Sequence, residues 1–224
     1  MSKKILNKED VKNIGKAVEK AEKNTSGEIA TAFINESDDY AKYELFFAFI
    51  AGFVYFAVLL MFSGKIESLI QNLFWNYSSN YLVSFYGFST FIVISIFYFI
   101  ANISHIDRLI VSKKVMEKKV KNRAIRHFME SGVYKTRDRT GILIFISFLE
   151  RRIELIADSG INEKIDQSKW NDIVTHIING IKDKKLANNL IEAIDECGKL
   201  LSKYFPIKED DENELANEIN ILEK

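Results

Sequence analysis

Two long apolar runs lie inside this chain, with polar sequence on both sides of each. Leu45–Phe62 is eighteen residues without a charge, and Tyr81–Ala101 is twenty-one more. A helix rises ~1.5 Å per residue, so either run is long enough to cross ~30 Å of hydrocarbon. Together they hold eleven of the seventeen phenylalanines. The first run follows 44 mostly polar residues and has no small-residue cleavage site behind it, which is not the pattern of a secretory signal. The expectation is a two-span helical hairpin over 43–103, with spans at about 45–62 and 81–101.

Charge orients that hairpin. The chain balances 31 basic against 31 acidic residues, so no net field points toward nucleic acid, and no nucleic-acid partner is expected. The distribution is uneven. Residues 108–126 carry eight Lys and Arg against Glu117 alone, whereas the 63–80 loop has only Lys65 and Glu67. By the positive-inside rule the flank after the second span is cytoplasmic, so both termini are expected in the cytoplasm and only the short loop outside. In that loop Ile66, Leu69, Ile70, Leu73 and Phe74 form a stripe beside Trp75 and Tyr77, read as an interfacial helix. The single cysteine, Cys197, excludes an intramolecular disulfide and falls on an apolar helix face.

The polar parts read as an α/β fold. Asn7 with Asp10 three residues on makes a helix start of capping-box type, and Val11, Ile14, Val18 and Ala21 follow at helical spacing. Thr25-Ser26-Gly27 breaks that helix before a strand at Glu28–Ile34. After the spans comes a basic helix over about 113–131, with Met116, Val120, Ala124 and Phe128 spaced by four and Gly132 at its end. Its cationic face suits anionic lipid. Gly141–Phe148 is a near-continuous apolar run, fitting a strand covered on both faces. A tight turn at Leu149-Glu150 leads to a second strand, Arg152–Ala157, ended by Asp158-Ser159-Gly160. Two amphipathic helices complete the pattern. Ser168 is the expected cap of the first, and Pro206 stops the second. The tail from Ile207 has seven acids against two lysines, so it reads as mobile, with Leu215, Ile219 and Leu222 at spacings that suit a short helix.

A lone helix and strand in 1–40 cannot bury themselves. The expectation is one discontinuous domain. Residues 1–40 and 105–206 share a sheet, the hairpin is inserted between them, and 207–224 forms an acidic tail. The strand Glu28–Ile34 is expected to run parallel to Gly141–Phe148, because a helix crosses between them.

The helix followed by Thr25-Ser26-Gly27-Glu28-Ile29, and above all Thr136–Ile161 (TRDRTGILIFISFLERRIELIADSGI), resembles the TPM domain family. Trp170, the isoleucine-rich helix and the last helix running to Phe205-Pro206 also fit, so the resemblance covers roughly 8–35 and 113–206. It implies a small mixed sheet flanked by helices, a TPM-like sandwich, with the spans as an insertion. It also implies two kinds of activity known among members: weak acid phosphatase or calcium-binding activity, and roles in assembly, repair or turnover of membrane complexes. This chain lacks the family's acidic segment before the first helix and carries its spans inside the domain. Both departures weaken the transfer of enzymatic activity.

No strong catalytic motif is present. His105, His127 and His176 lack partners at zinc-ligand spacing, and there is no phosphate-binding glycine loop. His127 is expected to be solvated beside Arg126, and His176 at a surface or core edge. What remains is polar residues at strand ends. Thr136, Arg139, Thr140 and Asp158 form a candidate cleft, suited by its Thr, Arg and Asp to phosphate. Asp38, Asp39 and Asp158 are weak candidate ligands for Ca²⁺ or Mg²⁺, and turn and cap chemistry accounts for the same residues. Glu28 faces either that cleft or solvent. Parallel strands would put Asn35–Asp39 at the opposite end of the sheet from Asp158, dividing the acids into two half-sites. Two functions stay open: a docking, assembly or quality-control module on the cytoplasmic membrane surface, with the bilayer and another membrane protein as partners, or a metal-assisted acid phosphatase.

Overall fold

The computed structural model describes residues 6–103, 106–182 and 185–222. The chain forms two compact units, one from Met1–Asp38 with Lys114–Lys224 and one from Asp39–Lys113. His105 lies outside the described residues.

The first unit begins with α1 (Lys8–Glu22), whose capping box is complete: Asp10 N donates to Asn7 Oδ1 at 2.7 Å and Asn7 N to Asp10 Oδ2 at 2.9 Å. Strand β1 (Glu28–Ile34) follows. After the second unit come α6 (Lys113–Glu130), β2 (Gly141–Ser147), β3 (Arg152–Ala157), the one-turn α7 (Ser159–Asn162), α8 (Gln167–Lys182), α9 (Leu186–Tyr204) and β4 (Asn220–Leu222). The sheet order is β3-β2-β1-β4. β1 runs parallel to β2 from Glu28↔Gly141 to Ile34↔Ser147, β3 is antiparallel to β2, and β4 is parallel to β1. This is a mixed sheet with helices on both faces.

Alternation in the strands divides the core. Ile29 and Phe33 of β1, with Ile142, Ile144 and Ile146 of β2, pack against Ile14 and Val18 of α1 and the apolar faces of α8 and α9. On the other face Ala32, Ile34, Leu143 and Phe145 meet Val120, Ala124 and Phe128 of α6. Each fully buried Ile or Phe stabilises by roughly 1.5–3 kcal/mol, so the two faces of β1 and β2 carry much of the unit's stability. Both strands are covered on both faces, which accounts for the near-continuous apolar run of β2. Gly141 is required there, because an added Cβ would stand 2.3 Å from the Val133 carbonyl oxygen.

Local details differ from the sequence expectation in three places. The cap of α8 is Asp166, whose Oδ1 accepts from Ser168 N at 2.8 Å, so Ser168 sits one residue inside the first turn. Asp158 ends β3 and also caps α7. The acidic tail forms no helix among its described residues: Leu215 and Leu222 pack on the α6 side and Ile219 on the other, and its last three described residues form β4 beside Ala32–Ile34 of β1.

The second unit contains α2 (Ala41–Met61), α3 (Ser63–Leu73), α4 (Ser79–Ala101) and the short α5 (Asp107–Ile110). Both α2 and α4 are long and apolar enough to cross a membrane. They pack antiparallel. Phe47 meets Phe97 at 6.1 Å and Phe56 meets Tyr86 at 6.3 Å, and Gly52 admits Ile94, which a Cβ would strike at 2.3 Å. Most of their remaining surface is exposed and apolar, with Phe53 at 74% and Phe91 at 68% exposure. At the open end of the pair Asn102 Nδ2 donates to Glu44 Oε2 at 3.2 Å. On α3, Leu69, Leu73 and the following Trp75 are exposed.

Because β1 lies between β2 and β4, a fragment 114–224 would leave β4 without a partner and β2 paired only with β3. This fragment is expected to show no cooperative thermal transition by circular dichroism. Adding 1–38 through a flexible linker is expected to restore one.

Candidate functional site

The cleft residues from the sequence gather at one end of the sheet, where β1 and β2 start and β3 finishes. Thr140 leads into β2; its N donates to Thr136 Oγ1 at 3.0 Å and its Oγ1 donates to Ser26 O at 2.8 Å. Glu28 N donates to Thr140 O at 3.1 Å, and Asp158 N to Gly141 O at 2.9 Å. Gly160 is held so close that a Cβ would lie 2.8 Å from Asp138 O and 2.9 Å from Arg139 O. Thr136, Arg139, Thr140 and Asp158 therefore do share one region, joined by Ser26 and Glu28. Both threonine hydroxyls are engaged within the fold, and Arg139 is exposed, with a left-handed φ of 57°. Asp158 is buried. Its Oδ1 accepts from Ser159 N at 2.6 Å, and its Oδ2 is buried without a hydrogen-bond partner. That orphan oxygen is the group in this cleft with hydrogen-bonding capacity left for a ligand.

The opposite end of the sheet holds a second polar cluster. Leu149 N donates to Asn35 O at 2.9 Å and Ser37 N to Glu150 Oε1 at 2.9 Å. The Ser37 hydroxyl donates to Ser147 Oγ at 2.9 Å, and Ser147 donates in turn to Glu150 Oε2. All three side chains are buried. Asp38 is ion-paired with Lys119 of α6. Asp39 opens the second unit, where its carboxylate accepts from Ala41 N at 2.9 Å. Asp38 and Asp158 thus stand at opposite ends of β1 and β2 and do not fit a single metal centre. Among the described residues no three His, Cys, Asp or Glu side chains gather as a metal site. Ser147 and Glu150 escaped the sequence reading because each looked like ordinary strand-end and turn chemistry.

Two carboxyls outside the expected set are the most perturbed groups at the β1 start. Glu28 is buried rather than solvated, and its two oxygens accept from Glu214 N at 3.2 Å and Leu215 N at 3.3 Å. Burial raises its pKa, opposed by those two N–H bonds. Glu22, at the end of α1, accepts from Ile29 N at 2.8 Å. Burial pushes its carboxyl from 4.5 to about 8, opposed by the Ile29 N–H and reinforced by Glu28 and Asp211. His127 is also buried, against the expectation that it would be solvated. It lies 6.3 Å from the Phe145 ring, and burial followed by Arg123 lowers its pKa. Cys197 is buried, which pushes its thiol up to about 12 and leaves it inert. His176 lies near the surface, 2.8 Å from Glu192.

Glu22 titrates near 4.5 when unfolded and near 8 in the fold, so the folded chain holds that proton more tightly. Its contribution to stability is complete below about pH 4.5 and is lost as pH rises through about 8. Thermal melts from pH 4.5 to 9 are expected to fall across that window for the parent protein, and to fall much less for Glu22→Gln.

A family model for the TPM domain matches residues 105–200. Among solved structures, the NMR structure of BA42 protein from the psychrophilic bacterium Bizionia argentinensis is similar, with a TM-score of 0.58 and 21% identity over 97% of this chain and 95% of that chain. At that identity the likeness speaks for the fold. No curated protein matches the chain.

Proposed function

We propose, from the match of the TPM domain model to residues 105–200 and from the two apolar helices, that the chain is a membrane-anchored docking, assembly or quality-control module, held at the cytoplasmic face of a bilayer by its α2–α4 hairpin. One observation carries this reading: two helices long and apolar enough to span, with their outward aromatic side chains exposed, leave and re-enter the chain of the α/β unit between β1 and α6. Burying such a surface in hydrocarbon answers its exposure, since polar backbone within each helix is already satisfied. The basic run from Arg108 to Arg126 against a 63–80 loop with one lysine supports a cytoplasmic α/β unit. Exposed Leu69, Leu73 and Trp75 support α3 lying at the outer interface. A rigid domain tied at both ends of a hairpin suits recognition of another membrane protein. The division of the acids Asp38 and Asp158 between two sheet ends supports docking over a single extended catalytic centre.

Orientation is tested by reporter fusions. A reporter at Lys224 is expected to be active only in its cytoplasmic form, and a tag within 63–80 to be reached from outside. Outside activity of the Lys224 fusion would contradict the reading.

A second reading, a metal-assisted acid phosphatase, is favoured by one observation, the buried and unpartnered Asp158 Oδ2 at the sheet end that also holds Thr136 and Thr140. Calorimetry with Ca²⁺ and Mg²⁺ tests it. The docking reading expects binding unchanged in Asp158→Asn and in Asp38→Asn/Asp39→Asn. Loss of one tight site, together with loss of phosphomonoesterase activity in Asp158→Asn, would move the function to the enzyme.

A further inference from the structure

The segment after Pro206 is held in an unusual way. Up to that point the chain is fixed: Thr25 Oγ1 donates to Phe205 O at 2.6 Å and Ser26 N donates to the same oxygen at 3.1 Å. Beyond it, polar contacts spread along the surface join a few apolar ones made by Leu215, Ile219 and Leu222. Lys208 pairs with Asp138, and Arg137 binds Asp210 at 3.1 Å. Arg137 N donates to both Glu214 oxygens, at 3.2 and 3.0 Å. Glu28 accepts from the N–H groups of Glu214 and Leu215. The Asn217 carboxamide nitrogen reaches Glu22 Oε2 at 3.1 Å in the orientation that satisfies its neighbours. The segment then adds only three residues, Asn220–Leu222, beside the seven of β1.

Its packing is incomplete on the α6 side. A hollow of about 250 Å³ remains between this segment and α6, lined by His127, Ser131, Val133, Leu215 and Ile219. The two carboxyls that grip it are desolvated, which raises both pKa values and offsets part of what the grip contributes. Exposed ion pairs such as Arg137–Asp210 are screened by solvent and hold the segment only weakly.

We propose that residues 208–222 form a detachable strap, and that the groove along β1 which seats it also accepts the same segment from a second copy of the chain. Every contact made within one chain is available between two, so exchange needs no new complementary surface. Residues 205–219 separate α9 from β4 and reach on the order of 50 Å when extended, enough to cross to a neighbour. Departure of the strap uncovers the outer edge of β1, and an uncovered strand edge takes up another extended segment. The incoming segment is selected by chemistry: acids for Arg137, free N–H groups for Glu28, and apolar side chains at 215, 219 and 222.

Two measurements on the full chain in detergent micelles test this. In hydrogen exchange, amides 214–222 are expected to exchange at least tenfold faster than those of Ile142–Ile146; equal protection would overturn detachability. A photo-crosslinker replacing Ile221, in a mixture of two differently tagged full chains, is expected to join residues 28–34 both within a chain and between tags. The between-tag product should rise with protein concentration and fall at least threefold in Arg137→Ala. Crosslinks confined to one chain at every concentration, or between-tag crosslinks mapping away from β1, would overturn exchange.

Discussion

Parallel pairing of β1 with β2 is the constraint on which the rest of the molecule depends. The two strands are separated in sequence by the whole hairpin and by α6, yet they match residue for residue from Glu28↔Gly141 to Ile34↔Ser147. Parallel strands need a crossover. Here α6 covers one sheet face as that crossover, and the apolar hairpin is an excursion from it. The arrangement ties both ends of the hairpin to one folded body.

The same pairing distributes the polar chemistry. Residues that precede β1 and β2 meet at one end with Asp158, and residues that follow them meet at the other around Ser37, Ser147 and Glu150. Each cluster works chiefly as a fastening. Thr140 locks to Ser26 where the strands begin, and Glu150 locks Ser37 where the chain departs for the hairpin. Such buried, satisfied networks fix register more than they add stability. Asp158 Oδ2, buried without a hydrogen-bond partner, stands out against that background.

Much of this was legible in the sequence, for local reasons. Asn7 and Asp10 announced α1, uncharged length announced α2 and α4, and apolar continuity announced β2 as a strand covered on both faces. The start of α8 was misread by two residues because Asp166 and Ser168 are both good caps. His127 was misjudged from its neighbour Arg126, although it lies three residues from Ala124 and seven from Val120, on the buried stripe of α6. The strap was not legible. Its acidic composition reads as solvated, and its order comes from Arg137, Glu28 and Glu22, each far away in sequence. For Glu28 the sequence leaves cleft and solvent both open, since its partners are backbone N–H groups that no side-chain pattern encodes.

The central claim is that sequence on either side of the hairpin forms one cooperative body. Hydrogen exchange of the full chain in lipid nanodiscs tests it directly. The account predicts that amides of Ile29–Ile34 and of Ile142–Ile146 share one opening free energy and respond together to denaturant. Exchange of β1 by a separate, lower-energy opening while β2 stays protected would contradict it.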